Sequence, residues 1–210
     1  MAQNQLRERW KSQPYQDQIL PLISSELTRG LAVLSDLDLA GITIGQEGPV
    51  KEFWNINLYR ACLVDVDLRY ASLAGSISEA RLTRVCLAQA TLDACTLIRA
   101  MVTQCDFSGA KLLLIADDAV FENCDFTGAA FKSRRSNEFG GRRVRFSECN
   151  FTDAKFHRAE FRASRFVDCN FTNAKFVGCD FRGVKVEGST TAFIDQFENM
   201  DPPPWAESRP

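Results

Sequence analysis

The sequence predicts a solenoid, an elongated domain made by stacking short, equivalent turns of chain. Three observations carry that prediction. From Leu58 to Val186 a large apolar residue returns every five positions, as in Leu58, Leu63, Leu68 and Leu73, and again without a break from Phe146 to Phe181. The residue two places before it is nearly always small. A longer unit also recurs: Cys149-Asn150-Phe151-Thr152-Asp153-Ala154-Lys155-Phe156 returns 20 residues later as Cys169-Asn170-Phe171-Thr172-Asn173-Ala174-Lys175-Phe176. Period five fits neither a helix, at about 3.6, nor a strand, at about two. A fixed short period marks a stacked, quasi-one-dimensional architecture. Four five-residue units make one coil, so the cross-section has four sides.

In chain order, residues 1–30 form an N-terminal helical cap. Ile19, Ile23 and Leu27, with Leu20 alongside, give an apolar stripe at helical spacing over 13–29. Pro21 bends or divides that helix, and Trp10 and Tyr15 pack on the same end of the rod. Residues 31–190 are the solenoid, with loops at about 45–54 and 132–143. In 191–210, Ala192–Phe197 forms a short helix presenting Phe193 and Phe197. An extended, polyproline-like tail follows at Asp201–Trp205. Both ends serve as caps, since a solenoid must cover its terminal apolar layers.

The repeat absorbs residues that would otherwise invite chemistry. Of eight cysteines, Cys95, Cys105, Cys124, Cys149, Cys169 and Cys179 fall two places before a central apolar residue, a slot otherwise filled by Ala, Val or Ser. Free cysteine acts there as a small hydrophobe. There is no Cys-x-x-Cys pair, and His157 has no ligand-spaced partner, so no metal or other cofactor is expected. Asp67, Asp106, Asp125, Asn150 and Asn170, each just before a centre, suit tight corners because their side chains bond nearby backbone.

With its units in register from about 34 to 190, the chain resembles the pentapeptide repeat family, whose consensus is A(D/N)LXX. The resemblance implies an all-β solenoid, a right-handed quadrilateral parallel β-helix. Its central Leu or Phe and the small residue two before it point inward. Coils about 4.8 Å apart, stacked in seven levels, give a rod of roughly 35 Å.

Numbering the faces from Leu39 places Leu39, Leu68, Leu87, Phe107, Phe126, Phe151 and Phe171 on face one. Face two holds Ile44, Leu73, Leu92, Leu112, Phe131, Phe156 and Phe176. Every irregularity then lies between face two and face four. Ile44 to Leu58 spans 14 residues instead of five, around Gly45-Gln46-Glu47-Gly48-Pro49. Leu73 to Leu82 and Leu112 to Phe121 are nine instead of ten, and Phe131 to Phe146 is 15. Loops on one side of a repeat protein commonly carry its function. The candidate partner-binding residues are therefore Arg134, Arg135, Arg142, Arg143 and Arg145, with Phe139 as apolar anchor. Arg145, Arg165 and Lys185 also line up on face four, and Lys155 and Lys175 on face two.

Charge is uneven around a net of −2: residues 132–185 carry 13 Lys/Arg against 6 Asp/Glu, and both flanks are acidic. No nucleophile–base pair, phosphate-binding glycine motif or metal constellation is present, so no enzyme is expected. The N-terminus lacks a signal pattern and no stretch approaches the roughly 18 apolar residues that would cross a bilayer. The expectation is a cytoplasmic protein with no membrane contact. The leading function is a non-enzymatic protein-binding or scaffold module. The alternative comes from the resemblance, some of whose members engage DNA gyrase and topoisomerase IV and protect them from quinolones or toxins. Direct nucleic-acid binding is disfavoured, because exposed aromatics are not interleaved with the basic residues. Monomer and homodimer through the C-terminal helix both stay open.

Overall fold

The computed structural model describes residues 3–28, 32–132 and 140–209. Between its caps the chain is a parallel β-solenoid with two eight-stranded sheets on opposite sides. Face four stacks Leu34, Leu63, Leu82, Val102, Phe121, Phe146, Phe166 and Val186 as in-register centres. Face two stacks Ile44, Leu73, Leu92, Leu112, Phe131, Phe156, Phe176 and Phe197. Face one is joined by single bridges, from Asp38↔Asp67 through Asn150↔Asn170 to Asn170↔Thr191. Thr191 and Phe197 thus add one rung beyond the seven levels expected.

Why five residues turn a corner is visible in the backbone. The residue two after most centres adopts the left-handed conformation, as at Asp65, Tyr70, Gln89, Arg158 and Asn173, with φ between 54° and 59°. Its N–H then reaches the next coil, as when Gln89 donates to the Ser108 carbonyl at 2.8 Å and Gly128 to the Thr152 carbonyl at 2.8 Å. No β-branched residue stands among the described left-handed positions, because a branched Cβ is the worst fit to that region. The Asx residues play the part expected of them. Asp106, Asp125, Asn150 and Asn170 each accept a bond from the backbone N–H two residues on, at 2.8–3.2 Å.

The interior is a lattice of rings. Within a face, phenylalanines stack in parallel: Phe126 on Phe151 at 5.0 Å and 7°, Phe146 on Phe166 at 5.1 Å and 4°. Between faces they meet edge-on, as Phe146 meets Phe151 at 5.3 Å and 78°. Both arrangements suit the ring quadrupole. The small slots close the remaining space. All eight cysteines are free thiols, and burial pushes the Cys95 thiol up to about 12.

Both caps contain more than the expected elements. Ahead of the long helix α2 (Gln13–Thr28) lies a short helix α1 (Gln3–Glu8). Pro21 sits inside α2 without dividing it. The Trp10 ring is buried, donates to the Ala40 carbonyl at 2.9 Å and meets Tyr15 edge-on at 5.1 Å. Ile23 is buried, and Ile19 and Leu20 pack partly on the core; the Leu27 side chain lies outside the described residues. Gly41, at φ +77°, is needed for contact with α1, since a Cβ there would come within 2.5 Å of the Leu6 carbonyl oxygen. The insertion at 45–54 does not project. It turns inward, burying Val50 and Phe53, and Phe53 lies edge-on to Trp10 at 6.4 Å.

At the other end, the helix expected over Ala192–Phe197 is a single 3-10 turn, Ile194–Gln196. Phe197 leaves it to form the last strand and stacks on Phe176 at 4.8 Å. The buried Gln196 amide donates to the Phe171 and Ala174 carbonyls at 2.6 and 2.9 Å. The tail is not a free polyproline arm, because Trp205 folds back edge-on against Phe181 and Phe197. An apolar layer that would otherwise face water is a sufficient physical reason.

Candidate interaction surface

Face three holds Leu58, Ile77, Leu97, Ala116, Gly141, Phe161 and Phe181. From Leu58 to Phe161 their backbone N–H groups each reach the next coil, Leu58 donating to the Ser76 carbonyl at 2.7 Å and Phe161 to the Asp180 carbonyl at 2.8 Å. With these centres known, all four irregularities fall in one segment, between a face-two centre and the face-three centre that follows. The two deletions are absorbed as register shifts at Leu73/Gly75 and Asp93/Cys95. The second insertion lies between Lys132, the last residue of strand Ala130–Lys132 on face two, and Gly140. At that level the core is thin. Ala116 and Gly141 stand where other coils carry Leu, Ile or Phe, Leu114 turns inward to compensate, and an apolar void of about 10 Å³ remains. That is the least that could hold one water, and its apolar lining offers a water no partner.

Of the residues singled out from the sequence, Arg134, Arg135 and Phe139 lie outside the described residues. Arg142, Arg143 and Arg145 are not brought together as one cationic patch. Arg142 donates to Glu160 Oε1 at 2.9 Å, and Arg162 approaches the same oxygen at 3.0 Å. Glu160 is buried, its side chain only 9% exposed. The column continues, with Arg162 on Asp180 at 2.7 Å and Arg182 on Asp180 at 2.6 Å. The Arg182 guanidinium, opposed by partial burial and helped by Arg162, holds the Asp180 carboxyl far below the usual carboxylate range. Arg143 pairs with Asp118 at 2.6 Å at the next corner. Further up the same corner Arg99 and Arg60 clasp Glu79 and lower its carboxyl to about 2. Arg145 lies on face four, where its Nε donates to Ser147 Oγ at 3.1 Å.

The cations of face two are differently placed. Lys111, Lys155 and Lys175 occupy one column, with Ala130 between the first two. Lys132 stands beside them, opposite His157 in register, and Arg158 takes the corner. All five cationic side chains are exposed. Among the described residues the ion pair formed by this group is Lys175 with Glu198, a long one at 3.9 Å. The column of Lys155 and Lys175 was legible in the sequence. Lys111, Lys132 and Arg158 were missed, although counting register onto face two would have found them. Glu160 gave no signal, since its role depends on two arginines from different coils.

A fold built this way is that of the pentapeptide repeat proteins, and the chain belongs to that family. The pentapeptide repeat region model matches residues 114–195, and the pentapeptide repeat model, in eight copies, matches 76–112. Solved structures of similar fold include QnrB1, a plasmid-mediated fluoroquinolone resistance protein, at 14% identity over 74% of this chain and 80% of that one, TM-score 0.39. HetL, a pentapeptide repeat protein involved in heterocyst differentiation regulation from the cyanobacterium Nostoc, matches at 15% over 73% and 84%, TM-score 0.27. Rfr23 from the cyanobacterium Cyanothece matches at 15% over 75% and 81%, TM-score 0.21. No curated protein matches the sequence. Among the described residues no cluster of three His, Cys, Asp or Glu could hold a metal ion, and no helix is long and apolar enough to cross a membrane.

Proposed function

We propose that this protein is a non-enzymatic binding module for another protein, presenting a rigid, strand-spaced surface with its recognition features at the corner between faces two and three. The observation that carries the reading is the gathering of all four length irregularities at that one corner. A repeat protein varies loop length where a partner is read and keeps the remaining sides regular. The Phe lattice supports it, because a close-packed interior holds the surface in one shape and lowers the cost of binding. Binding rather than catalysis is favoured by an interior filled with its own side chains. Six thiols in apolar slots fit a reducing compartment such as the cytoplasm. The topoisomerase-protecting alternative is not favoured, since mimicry of DNA asks for an acidic surface and face two carries free cations.

The test is affinity capture with the wild-type chain and a variant lacking 133–139. A protein retained by the first and lost by the second is the expected result. Identical capture by both would refute the corner as the recognition site.

A further inference from the structure

Resting on that reading, we infer that the electrostatic half of the recognition surface is face two, not the arginines of face three, and that its partner is an acidic α-helix lying along the rod. The described cations of the basic region divide into three sets. On face four Arg145 bonds Ser147 Oγ at 3.1 Å, Arg165 pairs with Glu187 at 3.4 Å, and Lys185 follows in register, exposed. Those on face three pair with carboxylates of the same side of the rod: Arg142 and Arg162 with Glu160, Arg162 and Arg182 with Asp180, and Arg143 with Asp118. Those on face two, Lys111, Lys132, Lys155, Arg158 and Lys175, face solvent around the end of the strand Ala130–Lys132. The nearby acids offset only part of this. Asp195 is held by Arg209 at 2.8 Å and Glu198 sits at the last rung, leaving Asp153 on the adjoining corner, while Asp93 lies on face two in the coil before Lys111.

Spacing selects the partner. Successive rungs bring cations up at about 4.8 Å intervals. Residues three and four apart on a helix lie about 5–6 Å from one another, so carboxylates at i, i+3 or i+4, and i+7 follow the rungs with little drift. A β-strand presents same-side residues about 6.6 Å apart and loses register within two rungs. Duplex DNA is the poorer fit. Five cations neutralise at most about five phosphates, fewer than the 6–10 typical of proteins with steep salt dependence.

The experiment uses the full chain and fluorescence anisotropy at low and physiological salt. The probes are a helical peptide of about four turns with glutamates on one face, a peptide of the same composition with its glutamates spread around the helix, and a short DNA duplex. The one-faced peptide is expected to bind. The triple variant Lys155→Glu, Arg158→Glu, Lys175→Glu is expected to bind it at least about tenfold more weakly, about 1.4 kcal/mol. Arg182→Gln on face three should leave binding unchanged. Should charge reversal unfold the rod in a thermal melt, the same three positions changed to Gln carry the test. Equal binding of both peptides, binding of the duplex alone, no binding of any probe, or an unaffected triple variant each overturns the inference. Failure here is separable from failure of the binding-module reading. A protein captured by wild type and by the triple variant, but not by the 133–139 deletion, leaves the module standing without its basic face. Capture of nothing by wild type removes the module itself.

Discussion

Replacing Glu160 by Gln tests the claim that face three neutralises itself. The side chain keeps its shape and its buried position, but Oε1 loses the charge that two guanidinium groups share at 2.9 and 3.0 Å. Breaking a fully buried pair costs about 3–5 kcal/mol. Here the arginines are 52% and 42% exposed, so water can take over much of their solvation, and the amide oxygen still accepts a weaker bond. With that screening discount the expected loss is about 1–2 kcal/mol. In a chain of this size that lowers the melting temperature by roughly 2–8 °C. Urea unfolding followed by circular dichroism measures it, provided two probes give coincident transitions, since long repeat arrays can lose two-state behaviour. The cycle Glu160→Gln, Arg142→Gln and the double variant isolates the pair itself. A loss below about 0.5 kcal/mol, within the range of an ordinary surface change, with no coupling in the cycle, would show that Arg142 is a free surface cation. The division of charges between faces would then be wrong.

Phe151→Ala is expected to cost about 3–5 kcal/mol, because its fully buried ring stacks between Phe126 and Phe171 and meets Phe146 edge-on; a chemical denaturation midpoint decides it. Acid should weaken the rod through Glu79. Its carboxyl titrates lower in the folded chain than when free, so the unfolded state takes up protons first, and the stabilisation, complete above about pH 4.5, disappears as pH falls toward about 2. Melting temperatures across that window should fall more in wild type than in Glu79→Gln. Gly41→Ala drives a methyl group against the Leu6 carbonyl and should release α1, seen as faster hydrogen exchange over residues 3–11 with the central coils unchanged. Equal exchange in the two proteins would remove the close approach as the reason for glycine.

What the sequence by itself determined is the periodic part. Leu58, Leu63, Phe151 and their equivalents must point inward because burial is common to every coil, and a repeated environment writes a repeated residue type. The same holds for the cysteines and for Asn150 and Asn170, whose hydrogen bonds reach only two residues along the chain or one coil across. Tertiary structure alone decided where the singular groups go. Phe53 and Trp205 read as loop and tail, yet both cover ends of the core, since an end occurs once and leaves no period to count. Arg142 and Lys155 are equally basic in the sequence. One faces a buried Glu160 from the next coil and the other faces water, a difference made by stacking two distant turns at strand spacing.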